Sequence, residues 1–375
     1  MVRNSQTEKP PIRVVFLFGG TKCFVSETLS TFGVKHPADV KCAFGTIRNA
    51  LLHIYEANAS FTKLKVYAIL NSKVGAIMRK FILGTDWWTD CDDAVAIRLL
   101  AREHVKKEIE LLGIVLNACM PYSVASLEGF LNTEKVYDIP IGIDLEATDF
   151  GGNPPYQKRL SQFSNKYKSN EDAQDAVKLY RTILASVETS VELIEIGYPQ
   201  ALTALLLSKG DDISDLNGID LVKAKVSKIW MMAGKWDKNP GKENNFARND
   251  RSRTAANMFC EICPVPVTFL GWEVGASVIT GGNLDKNDPL YLALCDHGSH
   301  NGRSSWDPML CLLALIGDEK KAGYSVVRGK VSVDSVTGEN YFVSDSNGLH
   351  SYVIKEKEDM YYTDAINELI KTSDI

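Results

Sequence analysis

From about residue 79 onward, short apolar runs alternate with stretches whose apolar residues recur at helical spacing. Residues 81–84 (FILG) read as a strand, and the following DDAVAIRLLARE reads as a helix. IELLGIVL (109–116) is the next strand, a helix follows near 122–133, and IPIG (139–142) is a short strand after it. The pattern then predicts an amphipathic helix over about 170–188 and strands at VELIEIG (191–197), KIWMMAG (228–234) and VPVTFLG (265–271). A helix near 251–262 separates the last two. This rhythm predicts an α/β fold, a mostly parallel sheet flanked by helices on both faces. Ligands of such sheets sit beyond the carboxyl ends of the strands. Each polar cluster described below follows directly on a strand end.

The two ends of the chain read differently. YSVVRGKVSVD, NYFVSD and HSYVIKE predict a small antiparallel portion near the C-terminus, closed by a helix over about 362–371. Residues 1–77 hold a strand (RVVFLFGG), a helix (TIRNALLHIYEA) and a strand (KLKVYAIL), with no cluster of reactive side chains. Met78-Arg79-Lys80 before a strand looks like a natural chain start. Residues 1–77 are therefore read as an appendage and 78–375 as the functional domain.

Composition narrows the function classes. With 45% hydrophobic and 24% charged residues the chain has an ordinary globular balance, and 375 residues suffice for a large core. The net charge is −5 and no sustained Lys/Arg run occurs, which argues against nucleic acid as a partner. No segment approaches the ~18 apolar residues of a membrane span, and no signal peptide is evident, so a cytoplasmic location is expected. Eight cysteines at this length do not form a disulfide scaffold, and Cys260 and Cys263 read as buried thiols on a helix. Whether the chain forms a homo-oligomer is open at this stage.

The chemistry concentrates in GTDWWTDCDDAVAI (84–97). Asp86, Asp90, Asp92 and Asp93 fall within eight residues, with no basic residue among them. At an effective dielectric of about 20, like charges a few ångströms apart repel by several kcal/mol. A bound divalent cation, shifted pKa values or full exposure must compensate. Asp92 and Asp93 open a helix, where the dipole favours acids, but that accounts for two carboxylates and not four. An all-oxygen donor set points to calcium or magnesium rather than zinc. An EF-hand is excluded, because the twelfth position is Ile97 counted from Asp86 and Ala101 counted from Asp90.

This loop resembles the signature of the inosine–uridine preferring nucleoside hydrolase family in its variant form DTDxGTDxDDAxAL. Asp86, Thr89, Asp90, Asp92, Asp93 and Ala94 match, whereas Gly84 replaces the leading aspartate and Trp88 the usual glycine. Later segments keep the family's order over roughly residues 78–375. LLGIVLNA (111–118) is similar to the strand ending in a ribose-facing asparagine, here Asn117, and ELIEIGYPQALTALL (192–206) to the strand whose last carbonyl coordinates calcium, here that of Ile196. IWMMAGKW (229–236) corresponds to a strand ending in methionine and two glycines, with Ala233 departing at the first. KENNFARND (242–250) matches a glutamate–x–asparagine pattern through Glu243 and Asn245, whose side chains share a face if the segment is extended. TFLGWEVG (268–275) also looks like a segment of this subgroup. NGRSSWDPMLCLLALIGD (301–318) resembles the GRxSWDP subgroup, with Asp307 at the final calcium ligand and Trp306 where many members carry a histidine acid.

The resemblance implies calcium-dependent hydrolysis of the N-glycosidic bond of a small-molecule nucleoside. Ca2+ would be held by Asp86, Asp93, Asp307 and the Ile196 carbonyl, with Asp86 also the general base. Asp92, Asn117, Glu243 and Asn245 would grip the sugar, and the base would stack on Trp87, Trp88, Trp236 or Trp306. Neither His297 nor His300 is assigned as an acid, and Asp90 has no assigned role. A haloacid-dehalogenase-type phosphotransferase needs DxDxT, which Asp86-Trp87-Trp88 breaks. The remaining alternative is a catalytically silent nucleoside- or ribose-binding protein of the same fold.

Overall fold

The computed structural model describes residues 14–18, 21–25 and 78–371. The chain divides into two compact units, Met1–Thr62 and Lys63–Ile375. In the first, β1 (Val14–Phe18) pairs antiparallel with β2 (Thr21–Val25). The predicted helix TIRNALLHIYEA and strand KLKVYAIL lie outside the described residues.

The second unit is built on one 11-stranded sheet. Its central strands are β3 (Arg79–Thr85), β4 (Ile109–Leu116), β5 (Ile141–Ile143), β6 (Gln174–Asp175), β7 (Val191–Glu195), β8 (Val226–Met232) and β10 (Val267–Leu270). All pair in parallel, in the order β6-β5-β4-β3-β7-β8-β10. Beyond β10 come β15 (His350–Lys355), β13 (Tyr324–Val333), β14 (Glu339–Ser344) and the short β9 (Gly241–Lys242). β15 runs parallel to β10 and antiparallel to β13, so the antiparallel C-terminal portion extends the main sheet.

Alternation along each central strand feeds two cores. Phe81, Leu83, Ile114, Leu116 and Ile194 join one buried cluster, with α1 (Asp92–Val105), α2 (Ser123–Thr133), α7 (Trp306–Ile316) and α8 (Asp359–Ile370). Ile82, Val115 and Leu193 join the other, with α3 (Ala176–Ser186), α4 (Gln200–Leu207), α5 (Gly218–Lys225) and α6 (Asp250–Ile262). The predicted helix over 170–188 is shorter than expected. Asp172 accepts hydrogen bonds from the backbone of Lys168 and Ser169, which closes a separate turn, and β6 then intervenes before Asp175 caps α3 through the Lys178 N–H. The start of β3 is pinned by Arg79, which donates to Glu192 Oε1 (2.6 Å) on β7 and to the carbonyls of Ala314 (2.7 Å) and Leu315 (3.0 Å) at the end of α7. Among the described residues no helix is long and apolar enough to cross a membrane.

Candidate functional site

The carboxyl end of β3 delivers the chain into the loop before α1, and the geometry of that loop is set by Trp87. Its φ of 44° lies in the left-handed region, which a bulky side chain adopts only when its surroundings enforce it. The indole is fully buried, donates to Ser126 Oγ (2.8 Å), and packs on Phe130 and Tyr156 with centroids 5.6 and 5.1 Å away. Its carbonyl accepts from Gln157 Nε2 (2.6 Å), and its N–H donates to Asp93 Oδ1 (3.2 Å). Trp87 thus serves as the loop's anchor and faces the core, so it is not available for stacking on a ligand. Trp236 likewise packs on Phe269 and Tyr352, away from the cavity described next.

The loop borders a cavity of about 280 Å³ at the carboxyl edge of the sheet. Asp86, Asp92, Asp93 and Asp307 form one acidic wall. Carboxylate oxygens of Asp92, Asp93 and Asp307 lie within 4.8 Å of one another, and all three residues are buried. Ile196, just past β7, also lines the cavity, as do Glu243 and Asn245. Glu243 caps a helical turn at Asn244–Ala247, accepting from the N–H of Asn245 (2.7 Å) and of Gly234 (3.0 Å). Asn245 Nδ2 donates to the Met232 carbonyl (2.9 Å) and lies 3.4 Å from that of Ile196, tying together the ends of β7 and β8.

Three tryptophans and one arginine also line the cavity. Trp88 lines the cavity, held by its indole N–H on the Gly151 carbonyl (2.7 Å) and by the Arg248 guanidinium 4.4 Å over its ring. Opposite in sequence, Trp306 and Trp272 stack at 6.3 Å, and the Trp306 indole donates to the Trp272 carbonyl (2.7 Å). Arg303 sits on a two-stranded ribbon formed by β11 (Ile279–Thr280) and β12 (Arg303–Ser304). It is the only Lys or Arg lining the cavity among the described residues, and it is bound in a fork to Asp90 at 2.7 and 2.8 Å.

That ion pair splits the acidic loop into two electrostatic regimes. Burial opposes ionisation of Asp90, but the hydrogen bonds and charge of Arg303 outweigh it and hold the carboxyl below its ordinary value. Asp86 has no such partner: burial first, then the charges of Asp93, Asp92 and Asp90, push its carboxyl well above the usual range. Asp92 and Asp307 are raised in the same way. Burial lifts Asp93 to about 6 against the opposing hydrogen bond from the Thr85 hydroxyl, and lifts Glu243 to about 7 against its backbone donors. Four neighbouring buried carboxylates without a counter-charge, all oxygen donors, fit a hard divalent cation of the calcium or magnesium type.

The expected residues divide as follows. Asp86, Asp92, Asp93, Ile196, Glu243, Asn245, Trp306 and Asp307 surround one cavity. Asn117, expected to face the ribose, is fully buried and does not line it; its Nδ2 donates to Glu195 Oε1 (2.8 Å) and its Oδ1 accepts from the Tyr198 N–H (3.0 Å). Neither His297 nor His300 lines the cavity; His297 Nε2 stands 4.0 Å from Asp90. Asn249 caps α6. The sequence reading passed over Trp272, Arg303 and Glu195. Glu195 was detectable as an acid closing a parallel-sheet strand that is otherwise apolar at its inner positions.

No family model and no curated protein matches the chain. Among solved structures, the type III effector XopQ, determined with adenosine diphosphate ribose, aligns over 81% of this chain and 97% of its own with a TM-score of 0.57 at 13% identity. The effector protein XOO4466 aligns equally well, with 81% and 96% coverage and a TM-score of 0.57 at 13% identity. An inosine–uridine preferring nucleoside hydrolase from Bacillus anthracis aligns over 78% of this chain and 99% of its own, at a TM-score of 0.56 and 14% identity. The chain has a nucleoside hydrolase-like fold. At these identities the likeness concerns the architecture alone.

Proposed function

We propose that this chain is an N-ribohydrolase that uses calcium to cleave a ribonucleoside into ribose and free base, with residues 78–375 carrying the whole activity. The observation that supports it most is the group of buried, uncompensated carboxylates facing a cavity that also presents Glu243, Asn245 and three tryptophans. Asp86, Asp93, Asp307 and the Ile196 carbonyl would hold the cation. When bound, it supplies positive charge that offsets the carboxylates and Lewis acidity toward a water and a ribose diol.

The remaining steps fall to this chain's own groups. Cleavage breaks the bond between C1′ and the base nitrogen and passes through a sugar with oxocarbenium character, as in other glycoside hydrolyses. Asp86 takes a proton from the attacking water as its oxygen bonds to C1′; the electron pair of the broken bond stays on the base nitrogen, which takes up a proton from solvent, and Asp86 returns its own to solvent afterwards. Asp92 and Glu243 accept hydrogen bonds from the ribose hydroxyls, and the oxygen of the Asn245 amide adds an acceptor, since its Nδ2 is engaged by strand-end carbonyls. Trp306 and Trp272 stack against the base and exclude water from the departing ring. Asn117 supports this surface from outside the cavity. The proposed subgroup likeness, GRxSWDP, places tryptophan where an acid could have been.

A second reading is a nucleoside- or ribose-binding protein that does not cleave. It is favoured by the absence of histidine from the cavity lining among the described residues, and by the adenosine diphosphate ribose in the XopQ structure. Liberation of base from a panel of purine and pyrimidine nucleosides, followed with calcium and with chelator, separates the two. Calcium-dependent release supports hydrolysis. Saturable binding of the same nucleosides with no release supports the second reading and ends the first.

A further inference from the structure

Gly84 and Glu195 are neighbours across the β3–β7 pair, and the carboxylate of one occupies the space that the other leaves empty. A Cβ on Gly84 would stand 2.1 Å from Glu195 Oε2 and 2.6 Å from its Cδ, so any side chain at 84 displaces the acid. Glu195 is 1% exposed, and its Oε2 has no hydrogen-bond partner. An apolar residue of the same size would fill this position without burying an unpartnered polar atom, so packing alone does not account for a glutamate here. Its other oxygen is fully used: Oε1 accepts from Asn117 Nδ2 (2.8 Å) and from the Gly197 N–H (3.0 Å). The Gly197 N–H belongs to the same planar peptide as the Ile196 carbonyl. In a trans peptide the two point in opposite directions, so holding the N–H on Glu195 fixes where the Ile196 oxygen points. The turn packs closely on the acidic loop, since a Cβ on Gly197 would lie 2.4 Å from the Asp86 nitrogen.

We propose that Glu195 is a positioning residue for the cation site, locking the Ile196–Gly197 peptide and the Asn117 amide, with Gly84 as its obligatory steric complement. The assignment rests on the reading of Ile196 as a cation ligand. Glu195 acts through its neighbours and touches neither cation nor sugar. Outer groups of this kind are worth about 10–100-fold in metal affinity.

Calorimetry with calcium alone tests it on the full chain. Glu195→Leu keeps the volume without the acceptor and is expected to weaken calcium binding by about 10-fold or more. The Asn117 Nδ2 and Gly197 N–H lose their acceptor, so its calcium-free melting temperature is expected to fall modestly while the protein stays folded, and rescue of calcium binding by the amide variant separates positioning from a loss of fold. Glu195→Gln keeps an acceptor at Oε1 and is expected to bind near the wild-type level. Gly84→Ala is expected to weaken binding as Glu195→Leu does, and Gly84→Ala combined with Glu195→Ala to be no weaker than Gly84→Ala alone. Wild-type calcium affinity in a folded Glu195→Leu, or equal weakening in Glu195→Gln, overturns the assignment while leaving the cation site intact. If the wild-type protein takes up no calcium, the cation reading falls and the assignment falls with it.

Discussion

Buried charge occurs at two places along α1, and the protein treats them in opposite ways. Midway along the helix, Arg98 is 2% exposed and forks onto Asp288 at 2.6 and 2.7 Å while its Nε donates to Glu134 (2.7 Å). Arg102 lies beside Glu134 and donates to the Leu369 carbonyl (3.0 Å), so two cations meet two anions. At the first turn, Asp92 and Asp93 face Asp86 and Asp307 with no cation among them, because Arg303 is spent on Asp90. The first arrangement joins α1 to the chain around Asp288 and to the end of α8. The second holds nothing together by itself, and its self-repulsion lowers stability. A fold retains such a cluster where something outside the chain completes it, which is why the unbalanced end of the helix is read as the working end.

The comparison is easiest to break at its balanced end. Arg98→Ala leaves Asp288 and Glu134 buried without their main cation, and removing one partner of a buried pair typically costs about 3–5 kcal/mol. Chemical denaturation is expected to show a loss of that size. A loss under about 1 kcal/mol, within the ordinary range of surface substitutions, would mean that the pairing is not what makes this charge tolerable.

At the working end the same kind of change should strike activity instead. Asp86→Asn keeps the side chain's size and removes the base, and general-base contributions run to about 10²–10⁴-fold. With calcium saturating, kcat on the best nucleoside of a panel is expected to fall at least ~10²-fold, the folded state remaining intact. Near-normal turnover would take Asp86 out of the mechanism.

Asp307→Asn sharpens the contrast, because here removing a charge should help the calcium-free protein. Burial and the charges of Asp92, Asp93 and Asp86 hold the Asp307 carboxyl well above its ordinary range. In chelator the variant is expected to be more stable than wild type by about 1 kcal/mol, the scale of one repulsive contact at high effective dielectric. The stabilisation that calcium gives wild type, about 2.7 kcal/mol at a hundredfold excess over Kd, should largely vanish. Thermal melts of both proteins, each with calcium and with chelator, supply the four values. A variant less stable than wild type in chelator would show that Asp307 is held by contacts rather than strained by its neighbours.

How much of this was legible in the residues themselves depends on which forces place them. The alternation of apolar strands with helices predicts the parallel sheet, and the acidic loop and Asp307 could be brought to one edge because strand ends in such sheets converge there. Orientation was harder. Trp87 and Trp88 are adjacent and alike in sequence, yet the left-handed φ of Trp87 turns it into the core while Trp88 faces the cavity. Asn117 ends its strand as expected, but its amide is absorbed by Glu195 and Tyr198, contacts that arise only when β4 and β7 sit on either side of β3. Trp272 joins Trp306 from 34 positions away, a pairing that no local period encodes.

The smallest expected effect is a pH dependence of stability, and its sign follows from the raised carboxyls. Burial places Asp93 at about 6, Glu243 at about 7 and Glu195 at about 8 in the folded chain, whereas unfolded Asp and Glu titrate near 4. Between those limits the folded state holds more protons than the unfolded one, so stability is greatest below the unfolded values and is lost as pH rises through the folded ones. In chelator the melting temperature is therefore expected to fall from about pH 5 to about pH 8, by at least ~3 °C for a chain of this size. Calcium requires the ionised forms, so the increment it adds should grow over the same interval. Arg98→Ala, away from this acidic end, is expected to lower the whole curve without changing its direction. A calcium-free melting temperature that is flat or rises between these pH values would mean that the acidic end of α1 is compensated within the chain after all.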